Sequence, residues 1–244
     1  MDLGDEQKKY MAAMAVIHAS ALSRGLPSFR GLNTVMAGAP FDHFADLLRG
    51  THGIVMDMYR QPKKLHEAME HQLKLSLAGI KNAPVTGTSP VCFIALHKGD
   101  DSFMSDKQFE EFYWPGLRKI MMAMIDEGLV PMPFAEGKFT RRLKQIADTP
   151  RSGVMWWFDQ TDMTEAKKYL GNICCIIGNL PTSVMKTGTA EQVKENCRKL
   201  IEICGVGGGY ILAAGASLDN GKFENFKAMQ ESASEYGTYK KSKK

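Results

Sequence analysis

Apolar residues along this chain follow two alternating rhythms. Short runs that are apolar on both faces occur at Asn33 to Ala37, Val91 to Leu96, Val130 to Ala135, Gly153 to Phe158, Ile173 to Ile177 and Gly209 to Ala213. Longer stretches between them return apolar residues every three or four positions, as in Val193, Cys197, Leu200, Ile201 and Cys204. Strands alternating with helices predict βαβ units around a parallel sheet, and two-faced apolar strands predict that both sheet faces are covered. Ser105-Asp106-Lys107-Gln108 and Thr189-Ala190-Glu191-Gln192 fit the capping box, Asp162 heads a shorter helix, and Gly205 marks a helix end. Gln7 to Ser23 reads as a helix with Tyr10, Met14, Ile17 and Ala21 along one side, so the chain opens on α and offers six strands. A closed (β/α)8 barrel needs eight. The pattern leaves two architectures open: an open doubly wound sheet, or a barrel entered part-way round.

Composition narrows the partners. The chain has 244 residues, 44% hydrophobic and 24% charged, enough for one large core. Its net charge of +4 matches the terminal run Lys240, Lys241, Lys243 and Lys244, which leaves a neutral body and argues against nucleic acid as a partner. That run, within 240–244, reads as a basic flexible tail. Five cysteines form no CxxC and read as reduced core thiols, which fits a cytoplasmic protein. Neither a signal peptide nor a membrane span is recognisable. The glycine-rich Gly205-Val206-Gly207-Gly208-Gly209 precedes a strand, whereas a dinucleotide loop follows one, so it reads as a connection.

Several phrases at strand ends, taken together, resemble the uroporphyrinogen decarboxylase superfamily, which includes cobalamin-dependent methyltransferases. They are Ala39-Pro40-Phe41, Leu48-Arg49-Gly50, Met56-Asp57 and Pro62; Phe109-Glu110-Glu111-Phe112-Tyr113-Trp114-Pro115; Gly178-Asn179-Leu180-Pro181; Gly188-Thr189-Ala190-Glu191-Gln192-Val193; and Gly208-Gly209-Tyr210-Ile211-Leu212 with Glu224-Asn225. The resemblance runs over roughly 30 to 237. It implies a (β/α)8 TIM-type barrel over 1–239 with about six of eight βα units, two being expected upstream. It also implies one of two activities. The first is corrinoid-dependent methyl transfer, with zinc in the barrel and the corrinoid on a partner protein. The second is cofactor-free decarboxylation of a tetrapyrrole. A third reading is an incomplete, non-catalytic barrel fragment.

Candidate residues lie where barrels keep their chemistry, after the strands. Glu136, in Pro133-Phe134-Ala135-Glu136-Gly137, stands where the resemblance places a cysteine zinc ligand. Phe134 stands in place of the histidine ligand and Ala216 in place of the later cysteine, so a zinc site here would keep one usual ligand position. An ion pair of Glu136 with Lys138 or Arg141 is the competing reading. His97 follows a strand and suits metal binding or proton transfer, with an exposed loop histidine as the alternative. Asp159 ends the Met155-Trp156-Trp157-Phe158 strand and is expected at the mouth. Lys98, Lys138 and Arg141 are the visible cations for substrate carboxylates, and Asn179 and Tyr210 are candidates to orient a substrate. The decarboxylases' Gly-His-Gly turn reads Gly215-Ala216-Ser217 here. His18, His43, His52, His66 and His71 lack ligand spacing.

Overall fold

The computed structural model describes residues 3–25, 37–81, 90–218 and 220–238. Five of the predicted strands form: β1 (Val91–Leu96), β2 (Val130–Ala135), β3 (Met155–Phe158), β4 (Cys175–Ile177) and β5 (Tyr210–Ile211). The strand at Asn33 to Ala37 lies outside the described residues except for Ala37, as does the tail 240–244. β5 starts late because Gly207, Gly208 and Gly209 hold φ of 78°, 81° and 70°, left-handed backbone that a ladder cannot use.

All neighbouring strands pair in parallel, and their spatial order is their chain order, β1-β2-β3-β4-β5. A doubly wound sheet reverses its order at a switch point, whereas a barrel adds each strand beside the last. The described strands never reverse. This is the α/β architecture of a (β/α)8 barrel wall.

The helices are α1 (Leu3–Ser23), α2 (Pro40–His43), α3 (Gly50–Arg60), α4 (Pro62–Lys81), α5 (Asp106–Gln108), α6 (Trp114–Asp126), α7 (Leu143–Ile146), α8 (Met163–Leu170), α9 (Thr182–Thr187), α10 (Ala190–Cys204) and α11 (Phe223–Tyr236). π-type segments at Phe44–Arg49 and Phe109–Tyr113 join α2 to α3 and α5 to α6, and a tight turn at Thr140–Arg142 precedes α7. Both capping boxes form, and Asp162 accepts from the backbone N–H groups of Thr164 and Glu165. Among the described residues no helix is long and apolar enough to cross a membrane.

Strand side chains alternate, so the register sorts them into two faces. Cys92, Ile94, Leu96, Ala135, Trp156, Phe158 and Ile176 are buried in one core with Leu117, Ile120, Met124, Leu143 and Leu170 of the covering helices. Met132, Phe134 and Ile177 are buried too but point to the opposite, inner face. There Phe134 lies 4.7 Å from Trp157 and 6.2 Å from Phe93, ring centre to ring centre. Of the aromatic run, Trp156 and Phe158 are therefore helix-side core, and Trp157 alone faces inward. All five cysteines are free, and burial pushes the Cys174 thiol up to about 12.

Candidate active site at the strand ends

Continuing the alternation two residues past the last inner-facing residue of β1 to β4 brings His97, Glu136, Asp159 and Asn179 into one layer. Ala95, Phe134, Trp157 and Ile177 are already neighbours in register. His97, Lys98, Phe103, Glu136, Asp159 and Gln160 line a cleft of about 640 Å³ at this end of the sheet.

His97 is the best-connected member. Its Nδ1 lies 2.5 Å from Asp46 Oδ2, and its Nε2 lies 3.7 Å from Glu136 Oε2. A carboxylate offers only acceptors, so the contact with Asp46 fixes Nδ1 as a donor and leaves Nε2 facing Glu136. Burial lowers the imidazole's proton affinity. The hydrogen bond to Asp46 and the charges of Asp46, Asp42 and Glu136 outweigh this and raise its pKa above the usual 6.5. For Asp46 the balance is reversed: burial raises its pKa, and hydrogen bonds to His97 and Lys98 bring it below 3.8. Lys98 Nζ sits 3.2 Å from Asp46 Oδ1.

The backbone beneath this group is held by Asp42. Its Oδ2 accepts from the His97 N–H at 3.0 Å and from the Tyr113 hydroxyl at 2.6 Å, and its Oδ1 accepts from the Lys98 N–H at 3.0 Å. Asp42 is 5% exposed, and burial pushes its pKa up to about 6 against the opposing hydrogen bonds from Tyr113 and His97. Tyr113 is fully buried beside Gly99, where an added Cβ would lie 2.8 Å from a ring carbon.

The other predicted residues are distributed as follows. Asp159 faces the cleft, and its Oδ2 accepts from the Gly137 N–H at 3.1 Å. Asn179 spends its amide N–H groups on the carbonyls of Asp159, at 2.9 Å, and Thr161, at 2.8 Å, so it shapes the turn between strand ends. The Tyr210 hydroxyl donates to the Gly178 carbonyl instead of facing the cleft. Arg141 is turned to Asp106, 2.7 Å away, while the Lys138 side chain is exposed. Glu136 pairs with His97, not with Lys138 or Arg141.

Four contributors escaped the sequence reading: Asp42, Asp46, Tyr113 and Arg142. Arg142 is 1% exposed. It donates to the carbonyls of Gly99 and Met104, pairs with Asp106, lies 3.5 Å from Asp101 and covers the Phe109 ring at 4.7 Å. This single guanidinium ties the loop after β1, which begins at His97, to the turn after β2.

Zinc does not fit these residues. Phe134 is packed against Trp157, Ala216 has no donor atom, and Glu136 is turned to His97. Among the described residues no group of three His, Cys, Asp or Glu side chains is arranged to hold a metal ion. The arrangement suits proton transfer: a histidine oriented by one carboxylate faces a second, solvent-accessible one.

Comparison with known proteins decides the family. The uroporphyrinogen decarboxylase family profile matches residues 32–236. The chain belongs to the uroporphyrinogen decarboxylase family. Among solved structures, a methyltransferase from Methanosarcina mazei superposes on this family member with a TM-score of 0.69 at 20% identity, covering 82% of this chain. The chain spans 58% of that methyltransferase's length. At this identity the likeness establishes the fold, and it agrees with the barrel reading. A search of curated protein sequences gives no significant match.

Proposed function

We propose that this uroporphyrinogen decarboxylase family member is a methyltransferase that moves a methyl group between a corrinoid carried by a partner protein and a small acceptor in the strand-end cleft. The observation that carries the reading is His97 held between Asp46 and Glu136 at the mouth. The family's name alone points to decarboxylation, but among the described residues the candidate cations for substrate acetates are not gathered in the cleft. Lys98 is engaged by Asp46, Arg141 by Asp106, and carboxylates flank the rest of the cleft. The methyltransferase among its structural neighbours agrees in fold.

A methyl acceptor X–H gives up its proton as the X–CH3 bond forms. Glu136, 54% exposed at the cleft, is placed to take that proton. His97, oriented by Asp46, holds the carboxylate in position and carries the proton onward. Asp159 and Gln160 hydrogen-bond the acceptor. A corrinoid held by the partner would supply the methyl group as an electrophile, keeping the electron pair of the bond that breaks.

Purified protein incubated with methylcobalamin and a series of thiol, phenol and amine acceptors is expected to lose the methylcobalamin absorbance only when an accepted nucleophile is present. Glu136→Gln and His97→Ala are each expected to slow this by about 10²- to 10⁴-fold, the usual range for a lost acid–base group. Folded protein that demethylates methylcobalamin with none of these acceptors would refute the reading.

A further inference from the structure

Building on that reading, we infer that Asp42 is a positioning residue that aligns the His97 imidazole with Asp46 by clamping the end of β1 to the helical stretch carrying both aspartates.

Three observations meet at this side chain. Asp42 grips consecutive backbone N–H groups, those of His97 and Lys98, with one oxygen each. Two successive N–H groups held by one carboxylate fix the peptide plane between them, and with it the direction in which the His97 side chain leaves the backbone. The second observation is spacing. Asp46 lies four residues after Asp42, in the π-type segment that continues α2, so both face the same strand end. Anchoring Asp42 therefore sets where Asp46 meets Nδ1. The third is the Tyr113 hydroxyl, which donates to the oxygen that also holds His97 and ties the clamp to the helix following β1. Tyr113 cannot retreat, since it is fully buried and stacked on Phe109 at 5.3 Å.

Asp42 thus does not line the cleft itself but holds the backbone of two residues that do, His97 and Lys98. Facing the imidazole are Asp46, itself paired with Lys98, at one nitrogen and Glu136 at the other, with Asp42, bonded to Tyr113, on the backbone N–H of the same residue. A buried carboxylate needs hydrogen-bond partners, and those of Asp42 lie at the strand end and on the helix behind it.

The test reads the His97–Asp46 hydrogen bond itself, so it does not depend on the reaction. A short imidazolium–carboxylate bond gives a far-downfield Nδ1–H proton resonance. The full chain is expected to show one near 5 °C that is absent in His97→Ala and Asp46→Asn. In Asp42→Asn, which cannot accept from both backbone N–H groups with an amide, this resonance is expected to disappear although Asp46 is intact. The inference is overturned if D42N keeps the wild-type resonance. If D42N does not fold, Tyr113→Phe takes its place: it removes one donor to Asp42, and the resonance is expected to broaden through faster exchange with water. A Y113F resonance unchanged in position and exchange rate overturns the inference equally. Absence of methyl transfer with the resonance lost in D42N would refute the proposed function and leave the clamp standing.

Discussion

Replacing Arg142 by alanine removes a guanidinium that is 1% exposed and leaves Asp101, its partner at 3.5 Å, with a side chain 8% exposed. Truncating one partner of a buried ion pair costs about 3–5 kcal/mol, mostly because the remaining charge stays desolvated. For a chain of this size each kcal/mol moves the melting temperature by about 2–4 °C, so a fall of about 6–20 °C is expected at pH 7.5. Arg142→Met, which keeps apolar volume over the Phe109 ring, should recover only the packing part. The sign of the pH dependence separates charge from packing. Burial already raises the Asp101 pKa, against the Arg141 backbone hydrogen bond and the Arg142 charge. Removing Arg142 raises it further, so Asp101 becomes protonated and the stability gap to wild type narrows as pH falls from 7.5 to 5. Thermal unfolding followed by circular dichroism measures both quantities. Arg141 is the internal control, because it binds the same Asp106 from the surface, with a side chain 52% exposed, and Arg141→Ala should leave the melting temperature unchanged. If R142A melts within about 2 °C of wild type at pH 7.5, or if the gap widens on acidification, the buried-pair reasoning is wrong.

Three further outcomes follow from the site. Asp42 titrates in the folded chain at about 6 against an ordinary 3.8, so folding stability should decline as pH rises between those values; thermal melts of D42N should show a flatter slope across that window. His97 is raised above 6.5 and Asp46 lowered below 3.8 by their contact, so the pair stabilises fully between about 3.8 and 6.5. The stability difference between wild type and Asp46→Asn should be largest in that window and shrink as pH rises through the folded-state pKa of His97. Gly99→Ala would drive a methyl group to 2.8 Å from the buried Tyr113 ring and 3.0 Å from Phe139, an overpacking expected to cost about 1–3 kcal/mol in urea titration.

Most of the architecture is written in local pattern. Two-faced apolar runs, capping boxes and the glycines before β5 are short-range signals, and the same alternation that marks a strand also points His97, Glu136 and Asp159 to one side of the sheet. What surrounds His97 is different in kind. Asp42 and Asp46 lie about fifty residues upstream, and nothing in their own neighbourhood brings them to the end of β1; packing of Phe41 near Tyr113 and Phe103 does. Their spacing of four, just after Pro40 at a helix start, is a faint local trace of two carboxylates on one face. The tandem arginines were separable in principle. Arg142 falls on the apolar stripe of Phe139, Leu143 and Ile146, whereas Arg141 falls off it, and this phase marks one as buried and the other as surface. The hydroxyl of Tyr210 and the amide of Asn179 show the converse limit, because a residue at a strand end looks the same in sequence whether it faces a ligand or a neighbouring carbonyl.

The sequential strand order also bears on how the protein is made. Paired residues of adjacent strands lie only 20 to 39 positions apart, as in Met155 with Cys175 and Val91 with Val130. Each strand therefore meets its neighbour as soon as the short helical stretch between them has been synthesised, and no closure within the described sheet waits for a distant segment. A nascent chain leaving the ribosome can lay the sheet down in order. His97, on the first described strand, and its clamp from Asp42 can be in place before β2 is translated, with Glu136 arriving afterwards onto a histidine that is already aligned.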